Sequence, residues 1–116
     1  MTETEINLRA SLLSTLAFLA SEQQQLQFAA EVLYRSYQGE FACWWFDTFF
    51  PDDPSAARMF TERELVALRG FSTVLEQELA ALGMEDRSIQ DLQSRAEWQR
   101  IVGAAALAHA VVRDGA

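Results

Sequence analysis

The segment Thr61-Glu-Arg-Glu-Leu-Val-Ala-Leu-Arg-Gly-Phe-Ser-Thr-Val-Leu-Glu-Gln-Glu-Leu-Ala-Ala-Leu-Gly-Met84 carries the clearest structural signal in the chain. Thr61 and Glu64 have the spacing of a capping box, in which each side chain accepts a hydrogen bond from the other residue's backbone N–H at a helix N-terminus. Phe60 stands just before the cap, where it can pack on Leu65 as a hydrophobic staple. The pattern therefore predicts a helix that begins directly after Thr61.

The same segment predicts the buried face of this helix and its end. Its large apolar residues recur at the spacing of one helical face: Leu65, Leu68, Phe71, Leu75, Leu79 and Leu82. Gly83 follows at the position where a left-handed backbone conformation ends a helix. We therefore predict one long amphipathic helix that stops at Gly83.

Capping signals on both sides of this segment predict further helices. Three pairs have similar spacing: Thr2 with Glu5, Ser21 with Gln24, and Ser88 with Asp91. The first pair predicts a helix from about residue 3, and the third predicts the start of the last helix. The second pair leaves open whether a new helix begins or the first one continues. The segment after Ser21 places Leu26, Ala29, Ala30, Leu33 and Tyr37 on one helical face, and Gly39 is expected to end that helix. Residues 114–116 are expected to fray.

The run from Phe41 to Phe50 is compatible with a helix or a strand, because aromatic residues are common in strands. We predict a helix that ends at Pro51, since every neighbouring segment is helical and no partner strand is evident. The scarcity of proline and glycine also favours helices. The sequence thus predicts an all-α fold, with residues 1–116 forming a single-domain bundle of four to five helices.

The charge balance limits the classes of partner. The 116 residues carry a formal charge of −8, and all nine basic residues are arginines. Such a chain is repelled by nucleic-acid phosphates and by anionic lipid, and it is attracted to basic proteins. Arg63 and Arg69 alternate with glutamates, unlike the basic recognition helix of a DNA reader. We therefore expect no nucleic acid and no membrane as partner, and a basic protein instead.

Catalytic and metal-binding patterns are not evident in the sequence. Cys43 and His109 are the only cysteine and histidine, and neither lies in a recognisable catalytic motif or in a zinc-ligand pattern. We expect His109 to be packed or partly exposed, and Cys43 to be a small buried hydrophobe in its apolar run. The sequence therefore predicts a protein that is not an enzyme, with no catalytic residue, no cofactor and no metal.

Two further features bear on location. A single cysteine cannot form an internal disulfide, which fits a reducing compartment. The residues ahead of the apolar run 8–20 are acidic, unlike the basic start of a signal peptide. We therefore expect a cytoplasmic protein.

The segment from Tyr37 to Asp53 is the candidate binding region. It holds seven of the chain's 13 aromatic residues and no basic residue. A helix with one buried face cannot hide all these rings, so some are expected at the surface. The rings could plug the bundle core, or they could anchor a partner beside the carboxylates. The predicted partner-binding residues are four acids and two anchors: Glu40, Asp47, Asp52 and Asp53 with Trp44 and Trp45.

Two parts of the chain also resemble a known group of proteins. The segments Gly39-Glu-Phe-Ala-Cys-Trp-Trp-Phe-Asp47 and Met59-Phe-Thr-Glu-Arg-Glu-Leu65, with the small size and acidic charge, resemble the helical immunity proteins of bacterial contact-dependent inhibition systems. This resemblance implies a cognate toxin domain as partner, often an RNase or a DNase. The expected function is an immunity protein that occludes the basic active site of such a toxin.

Two other function classes remain open from the sequence. A helical adaptor or homodimer could use the small residues 103–106 and the surplus aromatic side chains as its interface. A small-ligand binder or enzyme could use an aromatic-lined pocket between helices, although polar catalytic groups are scarce.

Overall fold

The described part of the chain consists of helices joined by short loops. A computed structural model describes residues 1–114, and the side chain of residue 114 is not described. The helices within this range are α1 (Glu3–Leu19), α2 (Glu22–Glu31), α3 (Tyr37–Phe46), α4 (Ala56–Met59), α5 (Glu62–Leu82), α6 (Ile89–Ser94) and α7 (Ala96–Asp114). The predicted all-α class is confirmed, while the described residues form seven helices instead of four to five. Fraying was expected at residues 114–116: residue 114 is the last residue of α7, and residues 115–116 lie outside the described range.

The capping predictions are confirmed at the atomic level. The Thr61 hydroxyl accepts a hydrogen bond from the Glu64 N–H at 3.1 Å, and the Glu64 carboxylate accepts one from the Thr61 N–H at 2.9 Å. Thr2 and Glu5 form the same reciprocal pair. Gly83 ends α5 with a φ of 82°, a conformation that favours glycine. These ends could be predicted because each depends on residues close together in the chain.

Three helix boundaries differ from the prediction. Helix α3 ends at Phe46, before the predicted end at Pro51. Gly39 does not end a helix: Ser36 caps α3 by accepting a hydrogen bond from the Gly39 N–H at 3.2 Å, so Gly39 lies in the first turn. A Cβ atom at Gly39 would lie 2.7 Å from the methyl carbon of Met84, so this glycine allows Met84 to approach α3 closely. The last helix is interrupted at Arg95, whose extended backbone separates α6 from α7.

The two longest helices, α5 and α7, form the centre of the bundle. They run antiparallel, because Arg100 near the start of α7 binds Glu78 near the end of α5 at 2.7 Å. Helix α1 packs against α7, and α3 contributes large rings to the shared core. The fully buried rings of Trp45 and Trp98 are the largest side chains in that core.

Buried polar side chains join helices that are far apart in sequence. The Gln25 side chain is fully buried; its amide donates to the backbone carbonyls of Phe18 and Leu19, and its oxygen accepts from Trp98 Nε1 at 3.0 Å. Arg9 forms a bidentate pair with the buried carboxylate of Glu64. These contacts fix α1 and α2 against α5 and α7.

Candidate functional site

The two predicted aromatic anchors belong to the hydrophobic core. Trp45 is 0% exposed; its indole nitrogen donates to Ser72 Oγ at 2.7 Å, and its ring packs against Phe71 at 5.1 Å. Trp44 is half-buried against the rings of Phe18 and Phe28. Trp45 therefore offers no surface to a partner, and the prediction that it is an anchor is wrong. Its ring is held inside because α5 lies across this side of α3.

The exposed side of α3 carries two of the predicted acids. Glu40, Cys43 and Asp47 follow one another at helical spacing on this side, and Phe46 and Phe50 are exposed beside it. The expectation that some aromatic rings reach the surface is confirmed, although the exposed rings are phenylalanines and not the tryptophans. The expectation that Cys43 is buried is wrong, since its thiol lies on the solvent side of the helix.

The other two predicted acids serve the turn after α3. Asp52 pairs with Arg69 of α5 at 3.1 Å, and both side chains are exposed. Asp53 accepts a hydrogen bond from the backbone N–H of Ser55 at 2.9 Å, which lowers the pKa of its carboxyl below the usual range. Both carboxylates thus have partners within the chain that shape the turn before α4.

The four acids do not form one cluster. Glu40 and Asp47 are separated by seven helical positions, which corresponds to about 10 Å along the axis of α3. Asp52 and Asp53 lie beyond the C-terminal end of α3, next to Arg69 and Ser55. Glu40 is the one predicted acid at the N-terminal end of α3, and its surroundings differ from those of the others.

Glu40 adjoins a surface that the sequence did not predict. Four large apolar side chains are exposed where the loop between α2 and α3 meets the loop after α5: Leu26, Leu33, Tyr34 and Met84. Leu33 is 90% exposed, more than any other large apolar residue within the described chain. Glu40 lines the same groove as Tyr34 and Met84, and the exposed residues Glu31, Glu85 and Asp86 adjoin the apolar residues in the sequence. We call this set of eight residues the α2–α3 surface.

Hydrogen bonds hold the two loops of this surface together. The buried amide of Gln38 donates to the carbonyls of Gly83 and Glu85, at 3.3 and 2.9 Å. The Arg87 N–H donates to the Arg35 carbonyl at 3.3 Å. Tyr37 donates from its hydroxyl to the carbonyl of Val32 at 3.0 Å. The surface therefore belongs to the fixed part of the fold, although it consists largely of loops.

The Tyr34 ring separates two concavities of this surface. On one side is a cavity of about 290 Å³, lined by apolar residues such as Leu26 and Ala30 of α2 and by polar residues that include Arg87 and Gln90. On the other side is a wider groove of about 480 Å³ that contains Glu40, Cys43 and Met84. The Tyr34 ring stacks on Phe28 with centroids 5.8 Å apart, which fixes this division.

The charges around the α2–α3 surface are mostly negative. The exposed cation next to it is Arg35, whereas the side chain of Arg87 is buried and pairs with Asp91 and Glu85. A local sequence signal for this surface was the run Val32-Leu33-Tyr34 just before the Ser36 cap. Because Gly39 was taken as the end of α2, Leu33 was assigned to a buried helical face.

The catalytic candidates give no additional site. His109 is half-buried on α7, as expected, and Cys43 is exposed on α3. Within residues 1–114, no three histidine, cysteine or acidic side chains are grouped so that they could hold a metal ion. In the same range, no helix is both long enough and apolar enough to cross a membrane.

Comparison of the chain with protein-family models, with curated proteins and with solved structures found no match. The function is therefore inferred from the surface itself.

Proposed function

We propose that this chain is a cytoplasmic immunity protein, not an enzyme, which neutralises a basic cognate toxin domain of the nuclease class by covering its active site. The observation that carries the proposal is the α2–α3 surface, an exposed apolar centre with Glu40 on its groove and three further exposed carboxylates adjoining it in the sequence. Stable protein interfaces commonly have an apolar core and a polar rim, and an acidic rim selects a basic partner.

The surface supplies the two contributions that such an inhibitor needs. The net charge of −8 steers the chain toward a positively charged cleft and speeds association. Leu33 and Met84 supply apolar area that loses water on contact, which slows dissociation. In this proposal Leu33 and Met84, with Tyr34, replace Trp44 and Trp45 as the anchors.

The groove beside Tyr34 suits a basic side chain of the partner. A lysine or arginine lying there would be near the Tyr34 ring and the Glu40 carboxylate, while Arg35 also lines the groove. Nucleases that bind phosphate present such cations in their clefts. Asp47 extends the negative charge along the exposed side of α3, and Glu40 remains a proposed contact residue from the sequence prediction.

The proposal requires a basic nuclease domain encoded beside the gene for this chain, and its absence would contradict the proposal. Where a neighbouring gene encodes such a domain, the purified domain is the binding partner for the test. We expect stoichiometric binding that abolishes its nuclease activity and that weakens as the salt concentration rises. Leu33→Ala is expected to raise the Kd about tenfold, mainly through faster dissociation. Glu40→Gln/Asp86→Asn is expected to slow association and to reduce the salt dependence. Calorimetry and stopped-flow binding at two salt concentrations measure both effects.

The matched control is Glu3→Gln/Glu62→Gln, which removes two exposed carboxylates away from the α2–α3 surface. We expect it to keep the Kd of the parent within about twofold, because charges outside the contact act only through the screened overall field. Salt-insensitive binding, or an equal effect of both double variants, would contradict the assignment of this surface.

A further inference from the structure

A cavity of about 180 Å³ lies between α1 and the segment that joins α3 to α5. Its lining consists of seven apolar and three polar residues: Leu8, Leu12, Phe49, Phe50, Ala56, Met59 and Phe60, with Thr48, Asp53 and Ser55. Five of the apolar side chains are buried, whereas Phe50 is 59% exposed, so the cavity reaches the surface beside this ring. The cavity shares no residue with the α2–α3 surface, so what it binds does not depend on the proposed toxin binding.

The size and the walls of this cavity suit a small apolar body. An apolar cavity of about 150 Å³ is large enough to hold a benzene ring. A drug-sized ligand generally needs about 300 Å³ or more. Water is held poorly where polar partners are few, so a ligand that displaces it gains by burying its own apolar surface. The cavity therefore fits one aromatic ring or a branched alkyl group that carries one small polar substituent.

Among the residues that line the cavity, Asp53 carries the charge. Its Oδ1 accepts a hydrogen bond from the Ser55 N–H at 2.9 Å, and this bond, followed by the Ser55 hydroxyl, lowers the pKa of the carboxyl, so the group is ionised at neutral pH. A carboxylate has about four acceptor sites, and Ser55 fills at most two of them. The charge of Arg58 also acts on Asp53, but the Arg58 Nε binds Glu5 at 2.7 Å. The Asp53 carboxylate therefore has acceptor sites left for a cation.

We propose that this cavity binds a small primary amine in its ammonium form, with an apolar body of about the size of a benzene ring. The apolar body lies against Leu12 and Met59, and the ammonium donates to the Asp53 carboxylate. The Thr48 hydroxyl donates its hydrogen to the Trp44 carbonyl at 2.8 Å, so it offers the ligand an acceptor. A ligand carboxylate would be repelled by Asp53, and an uncharged ligand would gain no ion pair from it.

The first test compares three ligands of similar size on the full chain: benzylammonium as the probe, with benzyl alcohol and benzoate as its neutral and anionic counterparts. Calorimetry at neutral pH is expected to give a Kd of about 1 mM or less for benzylammonium, a Kd about tenfold higher or more for benzyl alcohol, and no binding of benzoate. Equal binding of benzylammonium and benzyl alcohol, or no binding of benzylammonium at about 10 mM, would overturn the proposal.

The second test uses the three methionines to locate the bound ligand. Met59 lines the cavity, Met84 lies on the α2–α3 surface, and Met1 lines neither. With isotope-labelled methionine methyl groups, benzylammonium is expected to shift the NMR signal of Met59, because an aromatic ring shifts the signals of the groups it touches. The signals of Met1 and Met84 are expected to stay in place. A shift confined to Met1 or Met84 would overturn the assignment of this cavity.

The third test removes the charge or narrows the cavity. Asp53→Asn keeps an oxygen that can accept the Ser55 N–H, and it is expected to raise the Kd of benzylammonium about tenfold or more. Asp47→Asn, the matched control, removes an exposed charge that does not line the cavity and is expected to keep the Kd within about twofold. Ala56→Val adds two methyl groups to the lining and is expected to weaken the binding of both benzylammonium and benzyl alcohol, with the fold checked by circular dichroism. Equal effects of the two aspartate variants, or unchanged binding by a folded Ala56→Val, would overturn the proposal.

Discussion

Arg9 forms an ion pair with the buried carboxylate of Glu64 and joins three helices. Its guanidinium donates to the Met59 carbonyl at 2.6 Å and to both carboxylate oxygens of Glu64, at 3.2 and 3.0 Å. Its charged end also lies over the Phe60 ring, 5.0 Å from the centroid. The Glu64 side chain is only 3% exposed. One side chain thus connects α1, the end of α4 and the capped start of α5.

Arg9→Ala is expected to destabilise the fold by about 3–5 kcal/mol, because it leaves the Glu64 carboxylate buried without its cation. Urea unfolding followed by circular dichroism measures the loss. Arg9→Met/Glu64→Gln is the informative comparison, since glutamine retains the capping-box hydrogen bond and methionine retains the packing. This double variant is expected to be more stable than Arg9→Ala. If it is equally unstable, the cost arises from lost packing and not from the unpaired charge.

At the scale of one element, α3 shows how neighbouring tryptophans acquire different roles. Trp45 lies against Phe71 and Ser72 of α5, whereas Trp44 lies against Phe18 and Phe28 and keeps part of its ring in solvent. Successive positions on a helix point about 100° apart, so one α3 turn reaches two parts of the bundle. Helix α3 therefore packs against α1 and α2 on one side and against α5 on the other.

Trp45→Ala is expected to cost about 3–5 kcal/mol, because it leaves a large cavity and an unpaired Ser72 hydroxyl. Trp44→Ala is expected to cost less, since part of its surface already contacts water. Phe46→Ala, at an exposed position of the same helix, should stay within about 0.5 kcal/mol of the parent. Denaturant unfolding of the three variants gives the order, and an equal loss for Trp44 and Trp45 would contradict the burial difference.

At the scale of the whole molecule, acid is expected to weaken the fold through carboxylates that bind N–H groups and arginine. The backbone N–H of Thr2, followed by the Arg58 guanidinium, lowers the pKa of Glu5 from 4.5 to about 2. Burial opposes ionisation of Glu64, yet the hydrogen bonds from Arg9 and Thr61 outweigh it and keep the pKa of that carboxyl below its usual value. Both groups therefore bind protons more readily in the unfolded chain than in the folded one.

The free energy of unfolding is thus expected to be insensitive to these groups above pH 4.5 and to fall as the pH drops from 4.5 toward 2. The sign follows because the folded state stabilises the ionised carboxylate, which is why the folded-state pKa is lowered. Protonation removes that stabilisation. Urea unfolding at a series of pH values measures the slope. Glu5→Gln is expected to flatten it, and an unchanged slope would show that Glu5 does not contribute.

A helix boundary could be predicted when the residues that determine it lie close to it in the sequence. The start and end of α5 follow from Thr61, Glu64 and Gly83, which act within one helix. The end of α2 and the start of α3 could not be placed from neighbouring residues. Gly39 allows the close approach of Met84, and the Gln38 amide donates to a carbonyl in the loop after α5, so both residues depend on a distant segment. In the candidate site, Glu40 was predicted from its charge. Leu33 was assigned to a helical face because α2 was expected to continue to Gly39, whereas α2 ends before Leu33 and leaves its side chain exposed.

The sequence by itself determined the helical class, the starts of α1, α5 and α6, and the acidic charge, because capping, periodicity and composition depend on neighbouring residues or on totals. Only the tertiary structure decided that Trp45 is buried, that Leu33 and Tyr34 are exposed, and that Asp52 pairs with Arg69. The physical reason is that burial and ion pairing depend on which distant segments pack together. A run of aromatic and acidic residues does not specify that packing on its own.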